Sequence, residues 1–140
     1  MTRLVIDSSV VIKWWVPEIH SADALRYFDP DLERDAPELL LAEVSNILWK
    51  KVGRGELTRV EVERIAVDVG LVDMEIHPMG PLLGAALRIA LETGRSTYDS
   101  MYLALAETLS TRMVTADRRL YNALQGGPYS RLVLWVEDGP

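Results

Sequence analysis

Short apolar runs alternate along this chain with longer stretches in which apolar residues recur every three or four positions. The first run, RLVI at residues 3–6, predicts a buried strand. Residues 9–15 can start a helix, which Pro17 breaks. SADALRYF opens on Ser21, a good capping residue, and reads as helix. The segment bracketed by Pro30 and Pro37 has little apolar content beyond Leu32 and is expected to be a loop. ELLLAEVSNILWKKV, residues 38–52, has clear helical period and stops at Gly53 with lysines in its last turn. A second helix starts at Thr58, with Val62, Ile65, Ala66, Val69 and Val72 at helical spacing. MEIH is a short strand. PLLGAALRIALETG has Pro81 near its start and Gly94 past its end, the usual helix punctuation. STYDSMYLALAETLS is apolar nearly all round, which predicts a central helix. RMVT is a strand, DRRLYNAL a short helix, GGP a turn and RLVLWV a last strand.

Strands alternating with helices predict an α/β fold, with a parallel sheet covered by helices on both faces. In such folds the working site lies beyond the C-terminal ends of the strands. With no internal repeat, low-complexity segment or linker, residues 1–140 are expected to form one domain.

Composition narrows the chemistry. There is no cysteine, which removes disulfides, thiol catalysis and cysteine-type zinc sites together. His20 and His77 lie far apart and match no histidine-based metal motif, so neither is given a role. No apolar run reaches membrane-spanning length, and the chain enters a strand at once rather than a leader, so a cytoplasmic protein is expected. The net charge of −6 argues against binding nucleic acid by bulk electrostatics. It reflects either plain solubility or acids clustered to hold metal, which would let a phosphate approach.

Four acids stand in positions that composition does not explain. Asp7 and Asp117 each follow an apolar strand at its C-terminal end. Glu43 falls inside the apolar arc of its helix, among Leu39, Leu40, Val44, Ile47 and Leu48. A buried, unpaired carboxylate costs several kcal/mol or loses its charge, so Glu43 needs a cation, a partner or an exposed rim. Asp99 lies in the first turn of the apolar helix. Each acid also has an ordinary structural explanation. Asp7 and Asp117 can cap the helices that follow, Asp99 suits a helix dipole, and Glu43 can swing into water. A shared site for a hard divalent cation such as magnesium or manganese accounts for all of them at once.

VIDSSVV, LLAEVSNIL, TYDSMYLALAE and VTADRRL, in that order and spacing, resemble the PIN-domain family across almost the whole chain. More narrowly they resemble VapC-type toxins, the ribonuclease halves of toxin–antitoxin pairs. The YDxxYLALAE piece, Tyr98 to Glu107, is quite specific, whereas VIDSS or TAD alone is weak. The resemblance implies a three-layer α/β/α fold with a central parallel sheet. It implies Mg2+- or Mn2+-dependent endoribonuclease activity with Asp7, Glu43, Asp99 and Asp117 as catalytic metal ligands. A metal-activated water would attack the phosphodiester. Ser8 and Thr115 match places where the family carries hydroxyls, and they, with Asn46 one turn after Glu43, would orient a ligand or bound water. The family also implies a homodimer, a cognate VapB-like antitoxin whose tail lies across the acidic pocket, and a toxin–antitoxin hetero-oligomer.

Arg95, Arg118 and Arg119 flank the acids and are candidates for RNA phosphate contacts; a solvated helix end explains them equally well. Trp14 and Trp15 offer a stacking face, a core position or an interface. Tyr102 and Leu103 read as core or dimer interface, and Lys50–Lys51 as a charge complement to a helix C-terminus. Three rivals remain. A housekeeping PIN-domain RNA-processing nuclease would use the same residues. A non-catalytic PIN-like interaction module would use the acids only as caps. A phosphatase-like protein with Asp7 as nucleophile would favour an acid where Ser9 stands and a lysine that VTADRR lacks.

Overall fold

The computed structural model describes residues 2–139. Five strands form one parallel sheet: β1 (Thr2–Ile6), β2 (Leu32–Pro37), β3 (Glu75–His77), β4 (Met113–Thr115) and β5 (Val133–Trp135). Their order is β3-β2-β1-β4-β5, every neighbouring pair parallel. Seven α-helices connect them among the described residues: α1 (Ser8–Val11), α2 (Ser21–Leu25), α3 (Leu39–Gly53), α4 (Arg59–Gly70), α5 (Leu83–Thr93), α6 (Thr97–Thr108) and α7 (Arg118–Leu124). Successive strand residues face opposite sides, so the burial of Leu4, Val5 and Ile6 alike shows that both faces of β1 are covered. None of these helices is long and apolar enough to cross a membrane.

Local chemistry sets the helix ends. Thr58 Oγ1 accepts from Glu61 N at 3.2 Å while the Glu61 carboxylate accepts from Thr58 N at 2.9 Å, a reciprocal cap that starts α4. Gly94, at φ 75°, ends α5 in the left-handed conformation that costs glycine least. Ser96 caps α6, accepting from Asp99 N at 3.1 Å. As its all-round apolar character predicts, α6 is central: Ser100 to Ala106 are all buried, and the helix packs on α5, β1, β2 and β4. Each large apolar side chain buried there contributes about 1.5–3 kcal/mol relative to exposure.

Two expectations need correction. Ser21 is the first residue of α2 rather than its cap; His20, at φ 66°, takes that place. The Ser21 hydroxyl is used on the preceding loop instead, accepting from Glu18 N at 2.7 Å. The second correction is larger. The segment expected as a loop between Pro30 and Pro37 is strand β2, next to the centre of the sheet. Two of its charges conceal it, because Arg34 and Asp35 are buried and find their partners inside. Arg34 donates to the carbonyls of Tyr27 (3.3 Å), Asp29 (2.7 Å) and Asp73 (3.2 Å). Asp35 meets Arg3 Nε at 3.1 Å and His77 Nε2 at 2.8 Å. Buried polar groups of this kind are tolerated when they are paired, and a hydrophobicity pattern cannot see the pairing.

Candidate active site

The chain runs from β1 to β2 and β3 on one side, then returns to β4 and β5 on the other. The reversal falls between β1 and β4, which pair at Val5–Met113 and Ile6–Val114. A crevice at such a switch point is where open α/β sheets bind ligands. The ladder runs up to the first acid, since Asp7 N donates to Val114 O at 3.2 Å. Asp7 and Asp117, far apart in sequence, therefore leave neighbouring strands at the same end.

Asp7 is only 5% exposed. Its Oδ1 accepts from Ser9 N (2.9 Å), Ser9 Oγ (2.5 Å) and Val10 N (3.3 Å). Its Oδ2 accepts from Thr115 Oγ1 at 2.7 Å. Burial pushes the carboxyl up to about 7; the Ser9, Thr115 and Val10 hydrogen bonds oppose that rise and the Asp117 charge adds to it. Thr115 and Ser9 also hold the β4–α7 turn. Thr115 Oγ1 accepts from Asp117 N at 3.0 Å, and Ser9 Oγ accepts from Ala116 N at 2.9 Å. Asp117 caps α7, accepting from Leu120 N at 3.2 Å.

Glu43 enters from α3, half-buried. Its Oε1 accepts from Ser8 Oγ at 3.3 Å and from the Tyr102 hydroxyl at 2.5 Å. Burial raises its pKa, the two hydroxyls lower it, and Asp99 raises it further. The Tyr102 hydroxyl is itself raised, by burial first and then by the Glu43 charge. Asp99 lies one turn before Tyr102 on α6, and Arg95 Nη2 pairs with it at 3.1 Å. Asp117 thus lies near Asp7, with Thr115 and Ser9 bonded to both segments, and Asp99 lies near Glu43, which Ser8 and Tyr102 hold. Among the described residues, no three of the four bring carboxylate oxygens within 4.8 Å of one another; the groups that close are His20–Asp23–Glu137 and Asp35–Glu75–His77.

Asn46 is exposed one turn beyond Glu43. Arg119 is exposed, while Arg118 lies over the Trp135 ring with its guanidinium carbon 3.8 Å from the ring centroid. Trp14 donates from Nε1 to Ala24 O at 2.8 Å and packs edge-on against Phe28 and Trp15. Sequence reasoning missed two members of the cluster. Ser9 bridges Asp7 to the β4–α7 turn; its signal is the two-residue spacing at which a following residue bonds an aspartate cap. Tyr102 lies in the core, as expected, and its hydroxyl also holds Glu43; the signal for that second part is the three-residue spacing from Asp99 on one helix.

The donors are carboxylates and hydroxyls, with no sulfur or imidazole among them. That set fits a hard divalent cation, and the buried Asp7 carboxyl, raised by its surroundings, would be relieved by one.

A family model described as the PIN domain matches residues 4–124. The chain belongs to the PIN-domain family. Among curated proteins, this PIN domain is similar to Ribonuclease VapC3 of Pyrobaculum aerophilum, 32% identical over 84% of this chain and 92% of that one. Among solved structures it is similar to PAE2754 from Pyrobaculum aerophilum, with a TM-score of 0.68 and 25% identity, covering 97% of this chain and 85% of that one. VapBC2 from Rickettsia felis, solved bound to a DNA fragment from its promoter, matches with a TM-score of 0.64 over 96% of this chain and 98% of that one. At 12% identity that match shows the fold alone. The five-stranded parallel sheet and its helices are a PIN-like three-layer fold, as expected from the residues that carried the resemblance.

Proposed function

We propose that this PIN domain is a magnesium- or manganese-dependent endoribonuclease, the toxin of a toxin–antitoxin pair. The observation that carries the reading is the surroundings of Asp7. A buried carboxyl sits beside further acids and hydroxyls, and no lysine or arginine among the described residues pairs with it. The curated relative named a VapC ribonuclease supports RNA as the substrate class.

Asp7, Asp99 and Asp117 would hold the cation, with Glu43 joining directly, through water, or at a second ion. A bound divalent cation supplies positive charge at the phosphate and makes water a better nucleophile at neutral pH. The chain's own part is placement. Ser9 and Thr115 fix both oxygens of Asp7, and Ser8 and Tyr102 fix Glu43, so the carboxylates are oriented before substrate arrives. Arg95, Arg118 and Arg119 stand near the acids as phosphate contacts.

A VapB-like antitoxin would neutralise the chain, placing a basic residue among the acids, in a hetero-oligomer built on a toxin homodimer in the cytoplasm. Exposed apolar side chains support protein partners: Leu83, Leu87 and Leu91 recur every fourth residue along α5, and Trp49 is 72% exposed on α3. The test is RNA cleavage by the purified chain, freed of any co-purified partner, in magnesium, manganese and chelator, beside Asp7→Asn and Asp117→Asn. Cleavage that needs metal and disappears in both variants is expected. Absence of both cleavage and manganese binding would leave the non-catalytic module as the reading.

A further inference from the structure

Beside the acid cluster lies a groove of about 340 Å³ lined by Ser9, Ile12, Lys13, Glu18, Ile47, Lys50, Lys51 and Arg54. It is continuous with the cluster at two points. Ser9 donates to Asp7, and Ile47 lies one helical turn after Glu43 on α3. Four cations and one carboxylate line this groove, in a chain whose net charge is −6. The carboxylate is already shared: Glu18 meets Lys13 at 3.5 Å and Lys51 at 3.1 Å, and Lys51 also meets Glu56 at 3.4 Å. Lys50 and Arg54 are different. They are exposed and four residues apart at the C-terminal end of α3, Arg54 being its capping residue, and no carboxylate among the described residues pairs with either. Like charges at that spacing repel by a few tenths of a kcal/mol, and an anion laid between them would relieve it.

We propose that this groove carries the phosphodiester backbone of the RNA strand into the acid cluster, with Lys50 and Arg54 as its phosphate contacts. The proposal deepens the ribonuclease reading by saying where the strand runs. Lysine and arginine grip phosphates irrespective of sequence, and the apolar walls at Ile12 and Ile47 suit sugar and base faces. The positive lining also separates this occupant from a basic peptide tail, which the groove would repel. It resolves a difficulty of charge as well, because an acidic chain with an acidic site needs a local positive track to hold RNA.

The test uses the double variant Lys50→Ala/Arg54→Ala, with Arg112→Ala/Arg131→Ala as a control on a separate surface pocket. First, binding of a fluorescent single-stranded oligouridylate is measured in chelator across a sodium chloride series. The groove variant should bind more weakly, and its salt slope should be shallower by about 1.4, for two lost phosphate contacts on a single strand. The control should match the unmodified chain. Second, on whichever RNA the chain cleaves, KM should rise about tenfold in the groove variant with kcat unchanged. Unchanged binding, salt slope and KM would overturn the groove. So would equal losses in the control, or a groove variant that keeps RNA binding and loses only the antitoxin. RNA binding that depends on the groove in a chain that cleaves nothing would uphold the track while removing the ribonuclease reading.

Discussion

Two aspartates lie buried in or just beyond neighbouring strands, and their surroundings have opposite sign. Asp35, in β2, is 1% exposed and meets Arg3 at 3.1 Å and His77 at 2.8 Å. Asp7, just past β1, is 5% exposed and meets hydroxyls, backbone N–H groups and the field of Asp117. The protein supplies Asp35 with its own cation. Among the described residues it supplies Asp7 with orientation and no cation. A buried carboxylate that is positioned but not neutralised is poor for stability and suited to binding a positive ion. The contrast sets a buried charge paired within the fold beside one that is oriented but unpaired, on adjacent strands of one sheet.

The comparison breaks most sharply at catalysis. Losing one preorganised electrostatic group at an active site commonly costs 10²–10³-fold, so Asp7→Asn and Asp117→Asn should each lower RNA cleavage by about 10²–10³-fold. Asp35→Asn should leave cleavage intact where the chain is folded. Single-turnover assays at matched folded concentration decide it, and equal losses at both aspartates would erase the distinction.

A second effect follows from the sign of the Asp7 shift. Its folded pKa, about 7, lies above the unfolded value near 3.8, so the native state holds the extra proton between them. In chelator, the contribution of Asp7 is most favourable below the unfolded value and is lost as pH rises from about 4 to about 7. The loss approaches roughly 4 kcal/mol, at about 1.4 kcal/mol per unit. Asp7→Asn, which keeps an acceptor for Ser9, should flatten that fall and be the more stable chain at pH 8 without metal. Urea melts across the pH range give the slopes; identical slopes would show that Asp7 does not carry the effect.

The structural aspartate behaves the other way. Asp35→Ala leaves Arg3 and His77 facing an apolar hole, which should cost about 2–3 kcal/mol at neutral pH, given that Arg3 is partly exposed. Guanidinium unfolding measures it. Smallest is Tyr102→Phe, which removes one hydrogen bond from Glu43 without touching an acid. Contacts of this kind outside a ligand cost about 10- to 100-fold in activity or metal affinity, so a tenfold loss with little change in stability is expected. Manganese titration against the cleavage rate shows whether Glu43 has lost its hold.

Much of this was legible because it is local. The Thr58–Glu61 cap, Gly94 after α5, and the all-apolar α6 follow from side-chain chemistry within a few residues. So does the placing of Asp7 and Asp117 at strand ends. Strand β2 was illegible for the opposite reason. Arg34 and Asp35 satisfy their charges on Tyr27, Asp29, Asp73, Arg3 and His77, and only Tyr27 and Asp29 are near in sequence. The roles of Ser9 and Tyr102 are hard to read from sequence because their hydroxyls matter only through the acids they reach.

By itself, the sequence determined an alternating α/β chain, the ends of α4 and α5, and which acids stand where apolar neighbours make them costly. Tertiary structure alone decided which partners each acid finds. Placing β4 beside β1 brings Asp117 to Asp7 through Thr115, and packing α6 against the sheet brings Tyr102 to Glu43. Those contacts join residues 59 and 108 positions apart. The code for a strand specifies its pleat and its apolar faces, while its neighbours are chosen by the burial of the whole core.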